Sequence, residues 1–259
     1  MKQWQPGAPV TDAEILALYA PPPPEQRRAG HRPWVRMMVI SSADGAVSVQ
    51  GQSGALGSPA DQRVFALARR TADAIVVGAA TVRAEGYAGA LVDDDAQRWR
   101  HEQGRAAHPV PVLITGSMSI PASDPFFTQA PRRPLVATTR AALHAHPERA
   151  DRLDEVADVV ACGERSVDPT TLVEQLGERG VDVVHVEGGP GVYTSVAAAG
   201  VLDEVQLSLS PRLVAGDASR ILASEADAAL SLSLRLEHVM EEDGMLLLRY
   251  LVDGELGGA

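Results

Sequence analysis

The feature that most constrains this chain is a run of valines that stops at a glycine turn. Val181 to Val186 is apolar except for Asp182 and His185, and Glu187 then leads into Gly188-Gly189-Pro190-Gly191-Val192-Tyr193-Thr194 and the small-residue stretch Ser195 to Ala199. The β-branched run reads as a buried strand and the small-residue stretch as a helix. Strand, glycine turn and helix in direct succession form the unit of a sheet whose parallel strands are joined by helices. The turn lets backbone approach a ligand closely, and the first helical N–H groups have no intrahelical partner. Pro190 suits that first turn because it has no N–H to satisfy. Such a turn either packs a helix against a sheet or cradles a phosphate, and one instance does not decide between them.

A second turn of the same kind stands earlier. Asp73 to Val77 is short and β-branched, and it runs into Gly78-Ala79-Ala80-Thr81-Val82-Arg83. Two such turns, at the carboxyl ends of two strands, would converge on one crevice if the strands are neighbours in a sheet. A dinucleotide suits that pair better than a lone phosphate does, because it carries a diphosphate and, in NADPH, a ribose phosphate as well. Thr81 is then either a cofactor contact or only a helix cap.

The rest of the chain extends this rhythm. Strands are expected over Trp34 to Ser41 and near 73–77, 110–115, 134–139, 156–161 and 181–186, with a helix from Pro59 to Arg70 that sets Val64, Phe65, Leu67 and Ala68 on its apolar side. The end differs, with strands over Asp203 to Ser210, about Ser231 to Met240, and Met245 to Val252. Asp243-Gly244 marks a hairpin between the last two. The pattern predicts an α/β fold: a mainly parallel central sheet flanked by helices, with an antiparallel C-terminal hairpin. Thr11-Asp12-Ala13-Glu14 is a capping box that opens a short helix ending near Ala20, and Pro21 to Pro24 form a stiff spacer. Residues 1–32 therefore read as an extension laid on a domain spanning 33–259.

Charge and cysteine content narrow the function. A net charge of −11 over 259 residues disfavours a nucleic-acid or anionic-membrane surface. The single cysteine, Cys162, excludes an internal disulfide and a cysteine-clustered zinc site. Met1 to Val10 has no signal-like apolar core and no apolar run is long enough to span a bilayer, so a cytoplasmic location is expected. His31, His101, His108, His144, His146, His185 and His238 lack metal-ligand spacing, His144-Ala145-His146 reads as an exposed loop, and no metal site is expected.

Several segments, taken in order, carry a resemblance. They are Ser41-Ser42-Ala43-Asp44-Gly45, Gly51-Gln52-Ser53-Gly54, Ala72 through Val82, Glu187-Gly188-Gly189-Pro190, and Leu202-Asp203-Glu204-Val205 with Ser210-Pro211 and Gly216. From Trp34 onward, about nine-tenths of the chain, the sequence resembles the reductase domain of riboflavin biosynthesis, the C-terminal part of the bifunctional deaminase-reductase. That family has the dihydrofolate-reductase fold. The resemblance implies an NADPH-dependent reductase that converts 5-amino-6-(5-phosphoribosylamino)uracil to the ribitylamino product. It implies a small-molecule substrate and a homodimer, with Met245-Leu246-Leu247-Leu248 serving either an interface or the monomer core. Gly78, Thr81, Glu85, Gly188, Gly189, Pro190, Gly191, Val192 and Tyr193 would hold NADPH, and Ser53, Arg69 and Glu187 would face the substrate. Glu187 and Asp44 are the candidate catalytic carboxyl groups, with water as the competing proton source. From the residues alone, Arg69 is equally a helix-end cation, Asp44 an ordinary turn residue, and Thr138-Thr139-Arg140 a ribose-phosphate contact or a solvent loop.

The chain departs from the family in two places. Ala55 stands where members carry a tryptophan, and the run from Arg83 to Val92 has neither the usual proline nor the phosphate-gripping arginine, for which Arg83 would substitute from a different position. Neither His-x-Glu nor Pro-Cys-x-x-Cys occurs, so the resemblance extends to the reductase alone. The altered run leaves open a reductase of another heteroaromatic substrate such as dihydrofolate. A cofactor-binding protein without catalysis is the third alternative.

Overall fold

The computed structural model describes residues 7–27, 32–223 and 230–256. Residues 1–6 and His31, which enter the sequence reading, lie outside the described residues. The strands are β1 (Trp34–Ser42), β2 (Ala74–Gly78), β3 (Val110–Ile114), β4 (Leu135–Thr138), β5 (Asp158–Ala161), β6 (Val183–Val186), β7 (Glu204–Ser210), β8 (Leu232–Glu242) and β9 (Met245–Leu256). The helices are α1 (Asp12–Leu18), α2 (Pro59–Thr71), α3 (Ala79–Glu85), α4 (Asp94–Glu102), α5 (Pro125–Thr128), α6 (Arg140–Ala145), α7 (Pro147–Asp154), α8 (Pro169–Glu178) and α9 (Pro190–Ala198).

The strands form one sheet in the order β5-β4-β3-β2-β6-β1-β7-β9-β8. Pairing is parallel from β5 through β7, and antiparallel pairing begins only at β9, which runs between β7 and β8. The expected mixed α/β architecture is the one observed. β2 and β6 are buried along their whole length, as befits strands covered by helices on both faces. Asp243 and Gly244 take positive φ values of 52° and 81° and turn β8 into β9, the conformation that Asp-Gly supplies to a tight hairpin.

Side-chain alternation sorts the core. Val35, Met37 and Val39 of β1 join Val184 and Val186 of β6 against α8 and α9. Met38 and Ile40 face the other way, with Val64, Leu67 and Ala68 of α2 and Ile15 of α1. Local signals set the helix ends. The Ser58 hydroxyl accepts from the Asp61 N–H with Pro59 at the first helical position, and the Thr11–Glu14 capping box opens α1. α9 begins at Pro190, before the expected Ser195, because the Gly189 carbonyl already accepts from the N–H groups of Val192 and Tyr193.

The described part of the N-terminal segment belongs to the core. Ile15 and Tyr19 are buried against Met38, Met245 and Leu247, and Arg249 donates to the carbonyls of Leu18 and Ala20. Arg27 pairs both its terminal nitrogens with Asp182. Among the described residues no helix is long and apolar enough to cross a membrane.

Candidate active site

β2 and β6 are parallel neighbours in register Ala74↔Val184 and Val76↔Val186, so the two glycine turns meet. The Gly78 N–H donates to the Gly188 carbonyl at 2.7 Å. A Cβ on Gly78 would lie 2.9 Å from Val192 Cγ2, and one on Gly189 would lie 2.9 Å from Thr81 Oγ1. Gly188 has φ +103°, and a Cβ there would press on the Tyr193 ring at 3.0 Å. Glycine at 78 and 189 lets one turn pack on the other, and at 188 the positive φ and the Tyr193 ring of the same turn leave no place for a side chain. The Gly188–Gly189 peptide is cis.

This contact leaves backbone donors without a partner: among the described residues no protein acceptor meets the N–H groups of Gly188, Gly189 or Gly191. A Cβ on Gly191 would meet nothing within 4 Å, so the first turn of α9 is open. Tyr193 is buried and its hydroxyl donates to the Met38 carbonyl at 2.5 Å. Its side chain ties the turn to β1.

The residue just before the turn anchors a second feature. Glu187 shares the α2 face of β6 with His185, and its side chain is 1% exposed. Arg69 Nε and Nη2 donate to its two oxygens, each at 2.7 Å, and the Tyr87 hydroxyl donates to Oε2 at 2.7 Å. The Arg69 guanidinium lies over the Phe65 ring at 4.3 Å from its centroid. Burial, then the Glu187 charge, pushes the Tyr87 phenol well above its ordinary range, so Tyr87 remains a proton-bearing donor. Beneath them His185 is fully buried. Its Nδ1 accepts from Arg36 Nε at 3.1 Å and its Nε2 lies 3.6 Å from Glu187 Oε1.

The structure gives several of the expected site residues a partner within the chain. Arg69 and Glu187, both expected to face a substrate, face each other, and Arg69 is 19% exposed. Asp44 accepts from the Ser42 hydroxyl and from the Val214 N–H, and these two bonds, in that order, hold its carboxyl below the usual range. It ties the loop after β1 to the loop after β7. Ser53 and Glu85, expected on substrate and cofactor respectively, bind one another: the Ser53 N–H and hydroxyl donate to Glu85 Oε1 at 3.2 and 3.0 Å. Thr138 and Thr139 are buried, Thr139 capping α6, while Arg140 is exposed near Glu164. His144 lies in α6 and His146 at its junction with α7 rather than in a loop.

Tyr87, His185 and Arg36 were not singled out from sequence. The available signal was polar residues at alternate positions in otherwise apolar strands: Arg36 in β1, and His185 two residues before Glu187. Tyr87 carried no such signal. An open depression of about 610 Å³ beside this region is lined by Ala90 to Val92, Asp93 to Asp95 and Gln97. Its carboxylates repel a phosphate. Among the described residues no group of histidines, cysteines and carboxylates could hold a metal ion.

Residues 33–247 match the RibD C-terminal domain family. The chain is 29% identical over 228 residues to 2,5-diamino-6-ribosylamino-4(3H)-pyrimidinone 5′-phosphate reductase of Methanothermobacter thermautotrophicus, covering 86% of this chain and 100% of that protein. It is 27% identical over 186 residues to the protein of the same name from Archaeoglobus fulgidus, covering 71% and 83%. A crystal structure of a pyrimidine reductase-like protein from Corynebacterium diphtheriae superposes with a TM-score of 0.81 at 25% identity, covering 95% of this chain and 100% of that one.

Proposed function

The chain belongs to the RibD C-terminal domain family, and from that premise we propose that it is a riboflavin-pathway reductase acting on a ribosylaminopyrimidine 5′-phosphate with NADPH. The observation that carries this reading is the contact between the two glycine turns, with the Glu187 cluster one residue away. The turns suit a dinucleotide: the Gly188, Gly189 and Gly191 N–H groups and the Thr81 hydroxyl would hold its diphosphate. NADPH, when bound, supplies a hydride for the sugar carbon of a ring-opened imine.

What the protein contributes is placement. Its backbone donors are fixed by glycine packing before any ligand arrives, so little reorganisation is needed on binding. Arg69, Glu187 and Tyr87 form a charge-balanced wall whose members hold one another in place. Water supplies the proton in this proposal, with the Tyr87 hydroxyl committed to Glu187. Arg69 is likewise committed to Glu187. Arg83, exposed in the last turn of α3 and donating to Ser119 Oγ at 3.3 Å, would meet the substrate phosphate. Residues 33–259 act as the reductase domain and the N-terminal segment completes its core. A cytoplasmic homodimer belongs to the same proposal, and sedimentation of the purified protein tests the dimer.

Two substrates fit the reading. The family resemblance points to 5-amino-6-(5-phosphoribosylamino)uracil, whereas the names of the two archaeal relatives point to the 2,5-diaminopyrimidinone. NADPH oxidation by the purified protein with each compound, and with dihydrofolate, decides among them. Turnover of either ribosyl phosphate is expected. NADPH binding with no turnover of either contradicts the reading, and dihydrofolate turnover replaces it with a same-fold reductase.

A further inference from the structure

His185 occupies a position where an apolar side chain would pack more simply. Its register neighbours are Ile75 on β2 and Arg36 on β1, and Phe65 of α2 lies 6.2 Å away between ring centroids. The charged and titratable groups that face it are Arg36 from β1, Arg69 from α2 and Glu187 beyond the end of β6. Tyr87 reaches the same carboxylate from the loop after α3.

The arginine fixes the imidazole. A guanidinium Nε can only donate, so His185 Nδ1 is the acceptor and the ring proton sits on Nε2. Arg36 is itself held by the Ala68 carbonyl and by Thr71 Oγ1 at 2.6 Å, both at the end of α2. The Nε2–H has no hydrogen-bond partner among the described residues and lies 3.6 Å from Glu187 Oε1. That separation is just beyond a hydrogen bond, and a carboxylate shift of roughly half an ångström closes it. A buried, unmet donor aimed at one oxygen of a carboxylate limits where that carboxylate can rest.

Building on the reductase reading, we infer that His185 is a positioning residue of the site, locked by Arg36 as the Nε2–H tautomer and backing Oε1 of Glu187 so that the Arg69–Glu187–Tyr87 wall keeps one arrangement. Burial, then the charges of Arg36 and Arg69, keeps the ring neutral, which agrees with this tautomer.

Nitrogen NMR of the full chain tests the inference without any assay of turnover. A single neutral Nε2–H tautomer is expected from about pH 5 to pH 8, with its proton resonance moved by Glu187→Gln and by Tyr87→Phe. An Nδ1–H tautomer, free titration near about pH 6.5, or a resonance unmoved by both variants overturns it. In turnover, His185→Asn keeps an acceptor for Arg36 near the Nδ1 position but places no donor at the Nε2 position, so kcat is expected to fall about tenfold with KM for NADPH unchanged. His185→Gln, which restores a donor at the Nε2 position, is expected to recover most of that loss. A His185→Asn enzyme with wild-type kcat overturns the inference. A wild-type protein that reduces no ribosylaminopyrimidine phosphate contradicts the functional reading instead, and the NMR result still decides the role of His185.

Discussion

Glu187 and Glu204 are both buried carboxylates on the α2 face of the sheet, and each is paired to one arginine, yet their surroundings differ in kind. Glu204 is enclosed: Arg249 Nη2 donates to it at 2.7 Å, Trp34 Nε1 at 3.0 Å and Gln206 Nε2 at 2.6 Å. Every one of those partners sits on a strand, and Arg249 continues to the carbonyls of Leu18 and Ala20, closing the N-terminal segment over the cluster. Glu187 is buried to the same degree, but its partners come from a helix and a loop, Arg69 is partly exposed, and the next residue opens the glycine turn. A fully enclosed ion pair fixes how the chain packs, whereas one with a rim on a loop beside free backbone donors is where the proposed function puts the ligand.

The largest effect that tests this contrast is on folding. Glu204→Ala leaves Arg249 buried without its anion and is expected to cost about 3–5 kcal/mol in urea unfolding, with turnover per folded molecule retained. Glu187→Gln removes charge but keeps shape. It is expected to cost less stability, roughly 1–3 kcal/mol, and to lower turnover by about a hundredfold while NADPH binding by fluorescence titration is unchanged. Tyr87→Phe takes one of three hydrogen bonds from Glu187, and a loss of about 1 kcal/mol, or about fivefold in turnover, is expected.

The smallest effect is on pH. His185 is held well below the ordinary histidine value by burial and then by Arg36 and Arg69, and His238 is lowered by burial and then by Arg249. Below about pH 6.5 the unfolded chain takes up protons that the folded chain refuses, so stability declines as pH falls through that value. Melting temperatures between neutral and mildly acid pH record the decline, and His185→Gln reduces its slope. A flat profile in the wild-type protein contradicts the buried, neutral state of His185.

Much of this molecule was legible as pattern. β2 and β6 announced themselves as β-branched runs before glycine, their adjacency brought the turns together, and Asp243-Gly244 set the final hairpin. Legibility failed where partners depend on register and on loop paths. Nothing local in Arg69 or Glu187 says that they bind each other rather than a substrate, since they stand on α2 and at the end of β6. Ser53 and Glu85 met for the same reason, across two loops. Tyr87 was hidden because it lies in the segment that departs from the family pattern, where no motif marked it. Arg36 and His185 did carry a signal, as polar residues in apolar strands, and register turned that signal into a contact.

The most direct test is to measure Glu187→Gln and Glu204→Gln side by side for turnover per folded molecule and for the midpoint of urea unfolding. Glu187→Gln is expected to lose turnover with only a modest fall in midpoint, while Glu204→Gln falls further in midpoint and keeps its turnover. Full turnover in Glu187→Gln, or loss of turnover in well-folded Glu204→Gln, would contradict the assignment of the two clusters.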